Sequence, residues 1–150
     1  MIFSKRCNHG LRAMLYLAAR DAENANVSIR DISKELDLPF HFLTKILQDL
    51  GEAGLVVSSR GVSGGVRLAV PASELDVLRV VDVLEGEGFL RGCVLGFEEC
   101  SGKNPCALHD QWKAMREDLM AMFSSQNLAR LGERPGKKGN RKRSAAGSKR

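Results

Sequence analysis

In the N-terminal third of the chain, apolar side chains recur at intervals of three and four, the repeat of an amphipathic helix. The first stripe of this kind consists of Leu11, Met14, Leu15 and Ala18. A second helix is predicted after Ser28, because the run from Ser28 to Asp31 has the spacing of a capping box, whose side chains accept from the free N–H groups of a helix start. Its apolar face consists of Ile29, Ile32 and Leu36.

A third helix follows closely. Asp37-Leu38-Pro39 interrupts the second helix, and Pro39 suits the first position of the next one because its missing N–H would be unpaired there in any case. The stripe predicted to be buried on this third helix is Leu43, Ile46, Leu47 and Leu50. Two short helices joined by a tight turn over residues 28–53 predict a helix-turn-helix.

The pattern then changes from a helical repeat to short strand-like runs. Residues 55–59 and 66–70 are rich in valine and partly alternate, as strands do. Residues 60–65 between them contain glycines, which permit the positive φ angles of a tight turn. A hairpin directly after a helix-turn-helix predicts a winged helix.

The second half of the chain predicts two further helices separated by an irregular segment. Residues 73–76 form another capping box, and the stripe that follows is Val77, Val80, Val81 and Leu84. Residues 86–105 show no repeat and are interpreted as a loop. A long helix is predicted to start at Asn104-Pro105. Its apolar residues have the spacing of a heptad seam: Leu108, Trp112, Met115, Leu119 and Met122.

This seam has two interpretations: it packs against its own domain, or it pairs with a second copy of the chain. The small core of a 150-residue chain and the geometry of paired DNA half-sites favour a homodimer. The expected fold class is mainly α with a small β-hairpin, a winged helix-turn-helix plus a long dimerisation helix. We expect a DNA-binding region at 1–71, a linker helix, cysteine loop and dimerisation helix at 72–131, and a basic disordered tail at 132–150.

Composition excludes several classes of protein. The chain is 43% hydrophobic, which suits one domain of ordinary size, and no window approaches 18 apolar residues, so no membrane span is expected. Lys5 and Arg6 before an apolar run resemble a signal peptide, but Arg12 interrupts the run, so we expect a cytoplasmic protein with reduced cysteines. No nucleophile–base pair, phosphate-binding loop or catalytic carboxylate pair has meaningful spacing, so an enzyme is not expected.

Charge is unevenly distributed along the chain. Residues 132–150 contain eight Lys or Arg and one Asp or Glu, whereas residues 72–131 contain six basic and ten acidic residues. A basic tail on a polarised body indicates a polyanionic partner, although a solvated tail without a partner explains the same composition.

Double-stranded DNA is the partner that the helix-turn-helix predicts. The polar face of the third helix would lie in the major groove, where glutamine reads adenine and lysine reaches guanine or phosphate. The start of the second helix and the hairpin would contact the sugar–phosphate backbone or the minor groove. The predicted DNA-contacting residues are Ser28, Arg30, His41, Thr44, Lys45, Gln48, Arg60, Ser63 and Arg67.

Three cysteines of the irregular segment, Cys93, Cys100 and Cys106, carry the candidate chemistry. Thiolates select zinc, copper(I) or iron–sulfur clusters. Structural zinc usually includes one pair of ligands separated by two to four residues, whereas these gaps are six and five residues. The wider spacing favours an iron–sulfur cluster over zinc. The expected cofactor is an iron–sulfur cluster, 2Fe-2S in preference to 4Fe-4S. Cys106 is expected in the first turn of the long helix, where the helix dipole favours its thiolate.

The fourth ligand has several candidates. His109 is three residues after Cys106 and therefore on the same helix face, although an ordinary surface histidine fits equally well. Cys7 and Asn8 compete if a dimer partner brings them over the loop. Cys7 taken alone is expected to be a semi-buried helix residue.

Residues 1–125 resemble the IscR/NsrR-type winged-helix regulators of the Rrf2 family. The segments that carry the resemblance are residues 3–5, 11–18, 27–33, 39–50 and 54–69. The last of these, GLVVSSRGVSGGVRLA, is the most specific, and the three-cysteine loop before a long helix strengthens the match.

The resemblance implies a homodimeric DNA-binding regulator in which three loop cysteines and one further residue hold an iron–sulfur cluster. In the cluster-biogenesis branch this residue is a histidine that follows the third cysteine, here His109. In the nitric-oxide-sensing branch it comes from the N-terminal helix of the other subunit, near Asn8 here, where the acidic ligand of that branch is absent. The first cysteine gap is one residue longer than in the biogenesis branch.

The expected function is therefore transcriptional regulation that responds to iron, redox or nitric oxide status through a cluster. One alternative is a thiol-switch or metabolite-responsive regulator of the same fold without a cluster. Another is a helical adaptor or RNA-binding module whose basic tail dominates nucleic-acid binding.

Overall fold

Six α-helices and one antiparallel hairpin make up the part of the chain that the computed structural model describes, residues 2–133. The elements in chain order are α1 (Lys5–Ala18), α2 (Ile29–Leu36), α3 (Phe40–Glu52), β1 (Val56–Ser59), β2 (Gly65–Leu68), α4 (Val77–Glu85), α5 (His109–Ser124) and α6 (Leu128–Gly132). Single 3-10 turns lie at Asp21–Glu23 and Ala72–Glu74. The predicted fold class, mainly α with a two-stranded wing, is confirmed.

The helix-turn-helix forms at the predicted place because local signals start and stop each helix. The Ser28 hydroxyl accepts from the backbone N–H of Arg30 and caps α2. Asp37 ends α2 in the left-handed conformation, and Pro39 precedes the first residue of α3 instead of being that residue. The predicted apolar stripe of α3 is buried: Leu43, Ile46, Leu47 and Leu50.

The wing is a short hairpin whose second strand is anchored to the start of α2. Val56 pairs with Leu68 and Ser59 with Gly65, so the inward-facing residues of both strands reach the core. Val66 also exchanges backbone hydrogen bonds with Val27, each 2.8 Å long. This bridge fixes the wing relative to the helix-turn-helix.

One core joins the winged helix to the following helices. Helix α1 packs against α3, α4 and α6, and its buried residues lie in the same cluster as Leu84 of α4, Phe123 of α5 and Leu128 of α6. Gly10 lies at the crossing of α1 and α4, where a Cβ would come within 3.2 Å of Ile46 and closer to Leu84. The absent side chain lets the two helices approach closely.

Two helix starts differ from the prediction. Helix α4 begins at Val77, because the Asp76 carboxylate accepts from the N–H of Arg79, whereas residues 72–74 form a separate turn. The long helix α5 begins at His109, not at Asn104-Pro105. Backbone bonds between Ser101 and Asn104 close a turn there, so Cys106 precedes the helix and does not lie in its first turn.

The short helix α6 was not predicted. Asn127 caps it, and the backbone around Asn127 bridges to Asp76, so a contact between distant parts of the chain stabilises it. Gly132 ends α6, although the basic tail was expected to begin at that residue. The rest of the predicted tail, residues 134–150, lies outside the described residues.

The heptad seam of α5 is partly exposed in the single chain. Leu119 contacts the core, whereas Leu108, Met115 and Met122 are 40%, 58% and 51% exposed. No helix within residues 2–133 has both the length and the apolar composition needed to span a bilayer.

Gly65 provides a test of the wing anchor. Its φ is +146°, and a Cβ there would lie 2.4 Å from the Val27 carbonyl oxygen. Because backbone cannot give way as a side chain can, Gly65→Ala should lower the free energy of unfolding by about 2 kcal/mol. Urea unfolding followed by circular dichroism measures this. Gly88→Ala, which meets nothing within 4 Å, is the control and should be close to neutral. Equal stabilities of the two variants would contradict the anchor.

Candidate functional site

The cysteines lie on an irregular segment, residues 86–108, that leaves the end of α4 and leads into α5. Helix α5 holds the first part of this segment by two side-chain bonds. The indole N–H of Trp112 donates to the carbonyl of Gly92 at 2.8 Å, and the Arg116 guanidinium donates to the carbonyl of Arg91 at 2.7 Å. Helix α5 therefore fixes the backbone immediately before Cys93.

The three sulfur atoms of the segment converge. Cys93, Cys100 and Cys106 place their Sγ atoms within 4.8 Å of one another, and the Cys93 and Cys106 sulfurs are 3.6 Å apart. None of the three is in a disulfide, and all are half-buried. Thiols separated by six and five residues meet because the chain turns at Cys93–Gly96 and again at Ser101–Asn104.

His109 adds a nitrogen donor to the sulfurs. Its Nδ1 atom lies 3.2 Å from the Cys100 sulfur, at the first residue of α5. We refer to Cys93, Cys100, Cys106 and His109 as the cysteine site. These side chains line a cavity of about 30 Å³ together with Trp112 and three basic residues, Arg91, Lys113 and Arg116. Positive surroundings suit an anionic metal–thiolate group.

The donor set fits a thiophilic metal. A tetrahedral ion with bonds of about 2.3 Å to sulfur holds its sulfur ligands about 3.8 Å apart. The 3.6 Å between Cys93 and Cys106 is close to this value. Three thiolates and one imidazole also match the ligand types of iron–sulfur clusters, although a multi-iron core requires some of the sulfurs to lie further apart than one ion does. The residues therefore fit a bound metal group at this position.

Backbone groups prepare Cys93 to be a thiolate. Partial burial raises its pKa, but N–H groups of Phe97 and Leu95 and the thiols of Cys106 and Cys100 outweigh this and lower the pKa of Cys93 to about 7. The turn closed by Gly96, whose φ is +77°, aims these N–H groups at the sulfur.

Cys106 has the opposite tendency. The backbone N–H of Leu108 lowers its pKa, but burial and the neighbouring Cys93 and Cys100 together outweigh that bond and raise the pKa above its ordinary value. Of the neighbouring pair Cys93 and Cys106, Cys93 therefore loses its proton first, since a second thiolate so close is disfavoured.

The two competing ligand candidates lie elsewhere in the chain. Cys7 is fully buried in the core, where burial and the neighbouring Glu85 carboxylate raise its pKa to about 12. It is more deeply buried than the sequence predicted. Asn8 follows it on α1 and donates to the Phe3 carbonyl at 3.4 Å. Neither belongs to the cysteine site of its own chain.

The predicted DNA-contacting residues lie on one helix face, at the start of α2 and on the wing. His41, Lys45 and Gln48 are exposed on α3, whereas the Thr44 hydroxyl donates to the Phe40 carbonyl at 2.8 Å within the helix. Arg30 is exposed and its guanidinium lies 5.3 Å from the Phe40 ring centroid.

The predicted wing residues differ in exposure. Arg60 and Ser63 are exposed, and Arg67 is half-buried. The Ser63 carbonyl accepts from the Asn26 side chain at 3.1 Å, which ties the turn of the wing to the approach to α2.

Sequence reasoning missed several residues at these sites. Trp112 was predicted only as a seam residue, but its indole holds the cysteine segment. Asp49 received no role, yet it pairs with Lys45 on α3 and with Arg6 on α1. The four-residue spacing of Lys45 and Asp49 could have predicted their ion pair, because residues four apart lie on the same helix face. Nothing in the sequence pattern predicted the contact of Asp49 with Arg6.

Comparison with known proteins gives a family match over nearly the whole chain. The Rrf2 model, described as iron-dependent transcriptional regulator, matches residues 3–134. The chain is 36% identical over 124 residues to protein aau3 of Rhizobium meliloti, covering 82% of this chain and 77% of that protein.

Solved structures share the fold. The cysteine regulator CymR of B. subtilis superimposes with a TM-score of 0.74 at 26% identity, covering 89% of this chain and 97% of that one. IscR of T. potens has a TM-score of 0.69 at 27% identity, covering 89% of this chain and 88% of that one.

The order of thiol reactivity tests the electrostatics of the site. In the reduced, metal-free protein, iodoacetamide should alkylate Cys93 first, with a rate that rises through about pH 7 and levels off roughly one pH unit higher as the thiolate fraction saturates. Cys7 is the internal control and should react only after unfolding, because it is buried and its pKa is about 12. Peptide mass spectrometry locates the label. Labelling of Cys106 before Cys93 would contradict the assignment.

Proposed function

The chain belongs to the Rrf2 family of transcriptional regulators, and on this basis we propose that its affinity for DNA depends on an iron–sulfur cluster held by the cysteine site. The proposal goes beyond the family's general activity in two respects. It assigns a cofactor to this chain, and it makes DNA binding depend on that cofactor.

The convergence of the three sulfurs carries the proposal. An irregular segment has no packing reason to gather three thiols within 4.8 Å and to place an imidazole against one of them. Thiolates bind soft metals and iron–sulfur clusters. Cys93, Cys100 and Cys106 would supply three ligands and His109 the fourth. The 3.6 Å between the Cys93 and Cys106 sulfurs suits two ligands of one iron, as a 2Fe-2S core requires, whereas a 4Fe-4S core takes one protein ligand per iron.

A bound cluster would supply a group that gains or loses electrons and is damaged by oxidants or nitric oxide. The protein residues have separate tasks. Cys93 offers a thiolate near neutral pH, Trp112 and Arg116 hold the segment in place, and half-burial limits access of water. Loss of the ligand group would release a segment that connects α4 directly to α5.

Such a segment affects DNA binding if the chain is a dimer. The exposed seam residues Leu108, Met115 and Met122 support pairing of α5 with a second copy, which would set the distance between two winged helices. A regulator of this kind requires that cluster occupancy favour one arrangement of the two DNA-binding regions over the other.

DNA recognition is assigned to the residues that the fold exposes around α3 and the wing. Gln48 and Lys45 would reach base edges or phosphates in the major groove, with His41 and Thr44 on the same face. Ser28, Arg30, Arg60, Ser63 and Arg67 would contact the sugar–phosphate backbone.

A thiol switch without a cluster is the second candidate. The Cys93 and Cys106 sulfurs are 3.6 Å apart, so a movement of about 1.5 Å would bring them to disulfide bonding distance. Forming that bond transfers two electrons and two protons to an oxidant such as a disulfide. Similarity to a structure described as a global cysteine regulator supports this candidate.

Metal content decides between the two. Full-length protein purified without oxygen should be coloured and contain iron and acid-labile sulfide. The substitutions Cys93→Ser, Cys100→Ser and Cys106→Ser should each remove most of the iron, because a metal–thiolate bond is lost. Cys7→Ala is the control and should keep the iron, since Cys7 lies in the core.

The opposing results are distinct. Colourless protein with stoichiometric zinc, or with no metal after reconstitution, would exclude the cluster. If DNA affinity of metal-free protein then follows oxidation and is restored by dithiothreitol, the thiol switch is the function.

The DNA interface has its own test. Gln48→Ala should cost about 1–3 kcal/mol at a palindromic site and relax specificity there, because a base contact is lost. Arg60→Ala should weaken binding to all sequences and reduce the salt dependence by about one ion. Fluorescence anisotropy at several salt concentrations measures both. Arg79→Ala removes the same charge from the exposed face of α4 and should have little effect. Equal losses for Arg60→Ala and Arg79→Ala would mean that only net charge matters.

A further inference from the structure

The N-terminal segment, residues 3–7, contacts both the cysteine segment and helix α3, whose exposed face carries predicted DNA-contacting residues. The Phe3 ring lies 5.8 Å from the Phe89 ring of the cysteine segment and 5.3 Å from the Phe123 ring of α5, between ring centroids. The backbone N–H of Ser4 donates to the carboxylate of Glu85, the last residue of α4, at 2.7 Å. The segment is therefore attached where the cysteine segment begins.

Arg6 extends this attachment to α3. One guanidinium nitrogen donates to the carbonyl of Leu84 at 2.5 Å, and the other donates to the Asp49 carboxylate, also at 2.5 Å. The Leu84 carbonyl belongs to the last turn of α4, where carbonyls have no partner within the helix. A single planar side chain thus joins the end of α4 to α3, and both bonds depend on the relative position of the two helices.

Asp49 is shared with a residue of the DNA-binding face. Its second oxygen lies 3.2 Å from Lys45 Nζ, one turn earlier on α3. Because Arg6 shares the carboxylate, Asp49 holds Lys45 less firmly, and the ammonium group can reach a phosphate. Without Arg6, Asp49 would hold Lys45 more tightly, and its uncompensated negative charge would repel the DNA backbone.

We propose that Arg6 is a positioning residue that transmits the state of the cysteine site to α3 through the link from the Leu84 carbonyl to Arg6 to Asp49. This inference rests on the proposed function, because it needs a site whose occupancy changes the segment after α4. When that segment rearranges, the last turn of α4 shifts, and Arg6 loses one of its two acceptors. The orientation of α3 and the charge available at Lys45 then change together.

The measured quantity is the ratio of DNA affinities with and without reconstitution by iron and sulfide. For the wild-type full chain we expect a ratio within the usual range for coupled sites, about 5–150-fold. Arg6→Gln should bring this ratio to about one while leaving the iron content and absorbance spectrum unchanged. Arg6→Lys keeps the charge but not the planar fork, and should restore part of the ratio.

Arg12→Gln is the matched control. Arg12 lies on the same helix, but its guanidinium donates to the Leu36 carbonyl of α2 at 2.6 Å, away from α4. This variant should keep the wild-type ratio. A merely structural role of Arg6 would lower both affinities equally and leave their ratio unchanged.

The outcomes separate the two proposals. If the wild type shows a ratio and Arg6→Gln keeps it, the role of Arg6 is overturned and the proposed function stands. If the wild type binds a cluster but shows no ratio, both are overturned. If Arg6→Gln does not fold, Asp49→Leu removes the acceptor of the same link with a side chain of similar size, and an undiminished ratio in that variant would overturn the inference.

Discussion

The burial of α1 against α3 and α4 is the constraint on which the rest of the structure depends. Gly10 lets α1 approach Leu84 of α4 and Ile46 of α3 more closely than any residue with a side chain would. One apolar cluster therefore contains both the helix-turn-helix and the helices that flank the cysteine segment. The DNA-binding region and the helices that flank the cysteine segment therefore cannot move independently without disturbing this core.

The cysteine site depends on the packing of α5 against the same core. Trp112 and Arg116 of α5 hold the backbone just before Cys93, and Phe123 of α5 contacts the N-terminal segment. The cysteine segment, residues 86–108, is thus held at α4, at α5 and by its own turns. Rigid supports around an irregular loop favour a binding site over a simple connection, because three thiols are presented in a fixed arrangement.

Local signals explain how much of this could be predicted from the sequence. The Ser28 cap, the apolar stripe of α3 and the glycine-containing turn of the wing act over a few residues, so the winged helix was predicted almost to the residue. The cysteine spacing indicated a shared site for the same reason. The bridge between Asp76 and Asn127 and the contact of Arg6 with Asp49 depend on residues distant in the chain, which a periodic pattern does not reveal. The starts of α4 and α5 were misplaced for a local reason, because residues 72–74 and 101–104 form separate turns ahead of each helix.

Trp112 has a consequence beyond holding the segment. It is the chain's single tryptophan, and its indole lines the same cavity as the sulfurs. Ultraviolet emission from this protein therefore comes almost entirely from one ring beside the site, and a coloured iron centre there would quench it by energy transfer. Tryptophan fluorescence would therefore report in solution, without any attached dye, whether the cysteine site is occupied.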